Sequence, residues 1–250
     1  MSTDGTFTEH PLNNGPAYSL TPTPDGNVWF TQNTNKLGIM DSEGAISYYT
    51  VQTYSSDSYG NLVEQVANGV DGSVWFAEAD VDSGGHVTSQ AIGYRAADGN
   101  ITYYPVPLAD SQSDGVYSLN SDSDGNAWFS YENNVSEISP NGSTTTYSLS
   151  DSLPDDSGAY MSISKIVSNS DGAWFVKYVV DNGNISNEVG HIATSGTITE
   201  YPLTTDGQEE LNDIVAMPDG DMLAATRPEA APAQFFQLTK QALLPRSMNP

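Results

Sequence analysis

The stretch DGNVWF at residues 25–30 returns in altered form four times, as DGSVWF at 71–76, DGNAWF at 124–129, DGAWF at 171–175 and DGDML at 219–223. Its first aromatic position falls at Trp29, Trp75, Trp128, Trp174 and Met222, so the steps are 46, 53, 46 and 48 residues. Self-similarity at a period of about 40–50 residues matches one four-stranded propeller blade per repeat. The first repeat divides into four short segments, strands a, b, c and d of a blade, at 17–23, 27–33, 36–42 and 46–52, with the turn sequences PDG between a and b and SEG between c and d. Asp-Gly at such a link favours a tight hairpin. The second, third and fourth repeats divide the same way, and the fifth has only three segments.

The missing segment lies at the other end of the chain. GTFTEHPL at 5–12 is nearly identical to GTITEYPL at 196–203, yet it precedes the first repeat. The expected fold is therefore all-β: a five-bladed β-propeller of four-stranded antiparallel blades, closed by the N-terminal strand completing the last blade. Closure would remove the open sheet edges of a linear stack. Successive strand residues point to opposite faces, so Trp and Phe side by side predict a sheet buried on both faces. The repeated aromatics are thus read as architecture. Residues 1–240 are expected to form a single propeller domain, and 241–250 a tail or the start of a linker.

Composition narrows the function. The 250 residues include 32 Asp and Glu against 7 Lys and Arg, a net charge of −25, and no Cys. A field of that sign repels phosphate backbones and anionic lipids, which excludes nucleic acid as a partner. No apolar run is long enough to cross a membrane. The absence of Cys excludes disulfides and thiolate metal sites. Richness in Ser, Thr, Asn and Asp with few Lys suggests an extracellular or cell-surface domain, with the cytoplasm as the alternative.

Strand order places the short a–b and c–d turns at one end of each blade. The longer links gather at the other: 53–61, 109–115, 150–158 and 204–210, with b–c insertions at 81–89 and 180–186. Insertions collected on one face of a repeat protein mark a binding face.

The pattern PDGNVWFTQ…NKLGIMDSEGAISYY, together with GTITEYPL, resembles the virginiamycin B lyase (streptogramin lyase) type of propeller repeat over nearly the whole chain. The resemblance implies a seven-bladed relative in which a magnesium-assisted elimination opens a cyclic depsipeptide. A His early in strand a is the implied base, and Glu residues ending strand b help to hold the metal. The implied base position falls here on Tyr18, Glu64, Tyr117, Ser164 and Asn212, and the strand-b position on Gln32, Glu78, Tyr131, Lys177 and Ala225. No His stands at either position. His10 lies in the closing segment, His86 in an insertion and His191 on strand c, where the family carries Arg.

Two readings follow. In the first, the domain is a non-catalytic ligand-binding or adhesion module, monomeric or part of a longer chain. It would bind a glycan, peptide or protein through Tyr18, Glu64, Tyr117, Ser164 and Asn212, with Gln32, Glu78, Tyr131 and Lys177 behind them. Tyrosine suits such ligands because it pairs a flat apolar ring with a hydroxyl. In the second, it is a divergent lyase or lactonase-type hydrolase using a divalent cation, Ca or Mg, held by Glu78 and Glu132. NSDSDGN at 120–126 has the spacing of a calcium loop but lacks the closing Glu, since Tyr131 stands there, and reads as a hairpin turn. Asp80, Asp82 and His86 form a further, weaker metal candidate.

Overall fold

The structure is a computed structural model, and it describes residues 5, 7–13, 15–32, 34–52, 60–108, 115–149, 159–203, 210–227 and 235–239. Most of the long d–a links and the 241–250 tail fall outside the described residues. There is no helix among the described residues. The first sheet comprises β1 (Leu20–Pro22), β2 (Val28–Thr31), β3 (Lys36–Met40) and β4 (Ile46–Thr50), and the second β5 (Gly60–Asn68), β6 (Val74–Val81), β7 (Val87–Arg95) and β8 (Ile101–Val106). The third comprises β9 (Val116–Ser121), β10 (Ala127–Tyr131), β11 (Asn134–Ile138) and β12 (Thr144–Ser148). The fourth follows with β13 (Tyr160–Asn169), β14 (Gly172–Asp181), β15 (Asn184–Ala193) and β16 (Ile198–Leu203), and the fifth with β17 (Glu210–Ala216), β18 (Met222–Arg227) and β19 (Phe235–Leu238). Each sheet is antiparallel with its strands in chain order, as sequential hairpins require. Five such sheets make a five-bladed β-propeller. By compactness the chain divides into two units, Met1–Gln112 with two sheets and Ser113–Pro250 with three.

Within each unit the repeated aromatics do what their alternation predicts. Trp29 shares a buried cluster with Phe76 of the following sheet, and Trp128 shares one with Phe175. Trp174 packs against Leu211, Ile214 and Met222 of the fifth sheet. Trp75, Phe76 and Phe175 are fully buried, and the other Trp and Phe of the motif are 3–4% exposed. Burying one such side chain contributes of order 1.5–3 kcal/mol.

The Phe of the motif also explains a glycine. Phe30, Phe76 and Phe175 sit opposite Gly38, Gly93 and Gly190 on the neighbouring strand. A Cβ at any of these glycines would fall inside the facing ring. The ring thus covers bare backbone, an aromatic rescue of glycine. In the third sheet Ser136 faces Phe129 instead, and that ring stacks on Tyr131 at 5.8 Å.

Hydroxyls and amides tie neighbouring sheets at a separation of one repeat. Val66 N donates to Ser19 Oγ at 3.2 Å and Asn68 N to Thr21 Oγ1 at 3.2 Å. Ile166 N donates to Ser118 Oγ at 3.0 Å, and Ser164 Oγ donates to Leu211 O at 2.9 Å. Within each unit the first strands of successive sheets therefore lie side by side.

The fifth sheet shows three strands among the described residues, and residues 7–12 carry no strand assignment. Their placement still follows the repeat. Tyr147 on β12 reaches the c–d turn of the next sheet at Gly196, where a Cβ would lie 3.6 Å from its ring. His10 occupies the corresponding position of GTFTEHPL and packs against Gly44, the c–d turn of the first sheet. The N-terminal segment thus meets the first sheet as an outer strand meets the sheet that follows it.

The b–c insertions differ from the expected loops. β6 and β7 pair out to Val81↔Val87, and β14 and β15 out to Asp181↔Asn184. The second hairpin closes on Asn182 and Gly183, both at positive φ (50° and 79°), which is the geometry a two-residue turn requires. Inserted residues with β-branched side chains extend the ladder, which satisfies their backbone groups better than a loop would.

Replacing Gly190 by Ala should displace the Phe175 ring and destabilise the protein by about 1–3 kcal/mol, as overpacking does. Ser136→Ala, where a Cβ is already accommodated, should cost less than about 1 kcal/mol. Urea unfolding of both variants measures the difference.

Candidate functional site

The five positions singled out on strand a share one structural feature. The register of β5 against β6 slips between Val63 and Gln65, which leaves Glu64 as the extra residue of a β-bulge. Ser164 is extra in β13, between Ile163 and Lys165. Asn212 is extra in β17, between Leu211 and Asp213. The slip at Ser130/Tyr131 leaves Tyr117 as the extra residue in β9. In the first sheet Tyr18 N donates to Thr31 O at 3.0 Å while Thr31 N donates to Ser19 O at 2.9 Å, so two residues share one partner. A bulge turns its residue out of the ladder, and bulges are enriched beside functional sites. Tyr18 is 64% exposed, Asn212 is exposed, and Glu64, Tyr117 and Ser164 are half-buried. Tyr18 and Glu64 belong to the first unit, and Tyr117, Ser164 and Asn212 to the second. The set offers hydroxyl, carboxylate and amide groups, and no imidazole.

The strand-b positions are interior. Gln32, Glu78, Tyr131 and Lys177 are all less than 9% exposed. Each is engaged locally. Gln32 Nε2 donates to Gly15 O. Asn61 Nδ2 donates to Glu78 Oε1 at 2.7 Å. Tyr131 stacks on Phe129. Lys177 Nζ lies 2.7 Å from Glu188 Oε2 and 2.6 Å from Glu200 Oε1. Burial opposes the lysine charge, but the two glutamates outweigh it and raise its pKa above the ordinary value. Taking either partner from a buried pair is costly because a desolvated charge is left behind. Asp80 is fully buried and accepts a bond from Ser89 Oγ at 2.7 Å. Near these two acids, Tyr103 donates to Gln52 O at 3.0 Å, and burial followed by the Glu78 charge pushes its hydroxyl up to about 12.

A metal of the kind the family resemblance implies needs several convergent oxygens, with open positions for water. Glu78 lies mid-strand at 1% exposure and Glu132 lies in the turn after β10, in the other unit. Among the described residues no group of three or more His, Cys, Asp or Glu is arranged to hold a metal ion. The described residues at these positions do not fit the implied magnesium site. The loop 120–126 is a hairpin turn in which Asp122 Oδ1 accepts from the amides of Asp124 and Asn126, both at 2.9 Å. In the other metal candidate, Asp82 pairs with exposed His86 at 3.1 Å. The bond from the His86 amide, then the ring itself, holds the Asp82 carboxyl below its ordinary value.

His191, the third histidine, is stacked on Trp174 at 4.2 Å and 20°. Burial lowers its pKa below the ordinary 6.5. The folded protein therefore binds this proton less readily than the unfolded chain, and stability falls as pH drops from 6.5 towards the lowered value. Chemical unfolding between pH 7.5 and 5 should show that loss, and His191→Phe, which keeps the stack, should remove the part due to this ring. An unchanged pH slope in the variant would contradict the assignment.

Sequence reasoning missed a cavity at the short-turn end of the third and fourth sheets. A space of about 210 Å³ lies between the third and fourth sheets, lined by Asp122, Asp124, Trp128, Glu137 and Tyr147 on one side and by Asn169, Gly172 and Thr194 among others on the opposite side. The available signal was Glu137. It pairs across from Trp128, where the other sheets place Ile39, Tyr94 and His191 opposite their Trp.

Residues 1–231 match the Virginiamycin B lyase family. A Virginiamycin B lyase from Nocardia farcinica (strain IFM 10152) is 28% identical over 197 residues, which is 77% of this chain and 57% of that protein. The chain thus spans just over half the length of this relative. Among solved structures, a protein from Lactobacillus plantarum superposes with a TM-score of 0.58 at 14% identity, covering 87% of this chain and 65% of the other. A protein of unknown function from Bacteroides caccae does so with a TM-score of 0.54 at 13% identity, covering 88% and 74%. These two likenesses concern the fold alone. On the match over residues 1–231, the chain belongs to the Virginiamycin B lyase family.

Proposed function

We propose that this chain is a non-catalytic ligand-binding member of its family, displayed outside the cell, that takes a glycan, peptide or protein on the bulge residues of its inner strands. The observation that carries this reading is the pairing of bulge and interior. The bulges hold Tyr18, Glu64, Tyr117, Ser164 and Asn212, groups suited to binding through rings and hydrogen bonds with no His among them, although Ser164 Oγ already donates to Leu211 O. The strand-b positions behind them are occupied structurally: Gln32 holds Gly15 and Lys177 holds two glutamates. General acid–base chemistry requires a titratable group within reach of the proton it moves, and the bulge set offers one carboxylate, Glu64, and two phenols, Tyr18 and Tyr117, with no imidazole. The lyase or lactonase-type reading keeps the support of a relative named Virginiamycin B lyase.

The two readings separate in one comparison. A glycan and peptide array, run with and without calcium, should yield a ligand whose binding weakens at least about tenfold in Tyr18→Ala/Tyr117→Ala, in line with loss of aromatic contacts. Virginiamycin B incubated with the protein and magnesium should remain intact. Cleavage of virginiamycin B, or a ligand indifferent to both tyrosines, would overturn the reading.

A further inference from the structure

Two inter-sheet slots of this molecule are built alike and filled differently. Between the first and second sheets, the rings of Trp29 and Tyr49 stack at 5.5 Å and 28°. The Arg95 guanidinium of the second sheet lies over both, 5.0 Å from the Trp29 centroid and 4.6 Å from that of Tyr49. Between the third and fourth sheets, Trp128 and Tyr147 form the same platform, at 5.9 Å and 14°. Here the residue in the place of Arg95 is Ile192. Each pairs with the residue just before its own sheet's Trp, Arg95 with Val74 and Ile192 with Ala173. Ile192 supplies no charge, and the 210 Å³ cavity borders this second platform.

The cavity walls carry acids in place of the missing cation. Asp122 is committed within its turn: its Oδ1 accepts two backbone amides, and its Oδ2 accepts from Trp128 Nε1 at 3.2 Å. Glu137 is less occupied, with Oε1 accepting from Asn126 Nδ2 at 2.9 Å. Asp124 is exposed at the rim. Burial, and then the charges of Asp122 and Asp124, hold the Glu137 carboxyl above its ordinary range. A cation in the cavity would relieve that repulsion. The field of a chain with net charge −25 would also concentrate cations there.

We infer that the slot between the third and fourth sheets binds a guanidinium group, an arginine side chain presented free or within a peptide, lying against Trp128 and Tyr147 and neutralised by Glu137 and Asp124. The protein's own Arg95 shows what the platform accepts. A planar guanidinium stacks on aromatic faces and forks its donors to carboxylates, which the compact, strongly hydrated ammonium of lysine does less well. The volume is below the ~300–1,000 Å³ of pockets for drug-sized ligands and suits a single side chain. This inference is independent of the reading of the bulge residues, since the slot lies at the short-turn end of its sheets.

The test is titration of the whole chain with Nα-acetyl-arginine methylamide, with the citrulline and lysine analogues as controls, and with the peptide acetyl-Gly-Arg-Gly-amide. Binding is read by calorimetry and by the chemical shift of the Trp128 indole N–H. The arginine compound should bind saturably, weaken as salt is raised, and shift that resonance. The neutral citrulline analogue should bind at least about tenfold more weakly, as loss of a charge-assisted bond implies. Glu137→Gln should weaken binding about tenfold, and the exposed Asp124→Asn, which leaves the fold untouched, about two- to threefold. Tighter binding of the peptide than of the single residue assigns the site to a peptide, and the reverse assigns it to free arginine. Equal binding of the citrulline analogue, lysine binding as tight as arginine, or full affinity in Asp124→Asn together with an unshifted Trp128 resonance would overturn the inference.

Discussion

The structure depends on a contact between sheets: the Trp of one repeat against the Phe of the next. Trp29 with Phe76 and Trp128 with Phe175 are two instances of one packing unit, and where the fifth repeat has no Phe, Trp174 packs on Leu211, Ile214 and Met222 instead. Neither ring could be buried by its own sheet, because adjacent strand residues face opposite ways. Each repeat is therefore incomplete alone, as in other repeat proteins. The turns, the glycines under the Phe rings and the hydroxyl ties at a spacing of one repeat all serve to hold successive sheets at this contact.

The same alternation explains why so many polar residues lie inside. Positions after the Phe continue into the space between sheets, so Gln32, Glu78 and Lys177 are enclosed whatever their chemistry. Each persists because a neighbour meets it: a backbone carbonyl for Gln32, Asn61 for Glu78, two glutamates for Lys177. An interior polar position in a repeat protein can thus change identity from blade to blade, provided that its partner changes with it. Lys177 and Glu200 stand at the repeat positions that Glu78 and Tyr103 occupy in the second sheet, a swap of partners as well as of charge.

Much of this was legible in the sequence. The fold followed from the period of the Trp positions and from the two aromatics side by side. The spacing of Tyr18, Glu64 and Tyr117 from their Trp also located one equivalent position per repeat. That this position is a bulge was not legible, because a bulge is a mismatch of register between two strands and leaves no mark on one of them. The burial of Gln32 and Lys177 was hidden for a similar reason: a polar letter after Trp-Phe does not say which partner encloses it. The long links mark the opposite end of each sheet from the short turns, where Glu137 replaces an apolar or aromatic neighbour of Trp.

The central claim is that stability resides in contacts between sheets rather than within them. A double-mutant cycle tests it most directly, with Trp128→Leu and Phe175→Leu measured singly and together by equilibrium unfolding. The account predicts a coupling energy above about 0.5 kcal/mol for this pair in neighbouring sheets. It predicts near-additivity for Trp128→Leu with Phe129→Leu, which are adjacent in sequence but face opposite ways. Additivity for Trp128 with Phe175, or strong coupling for Trp128 with Phe129, would contradict it.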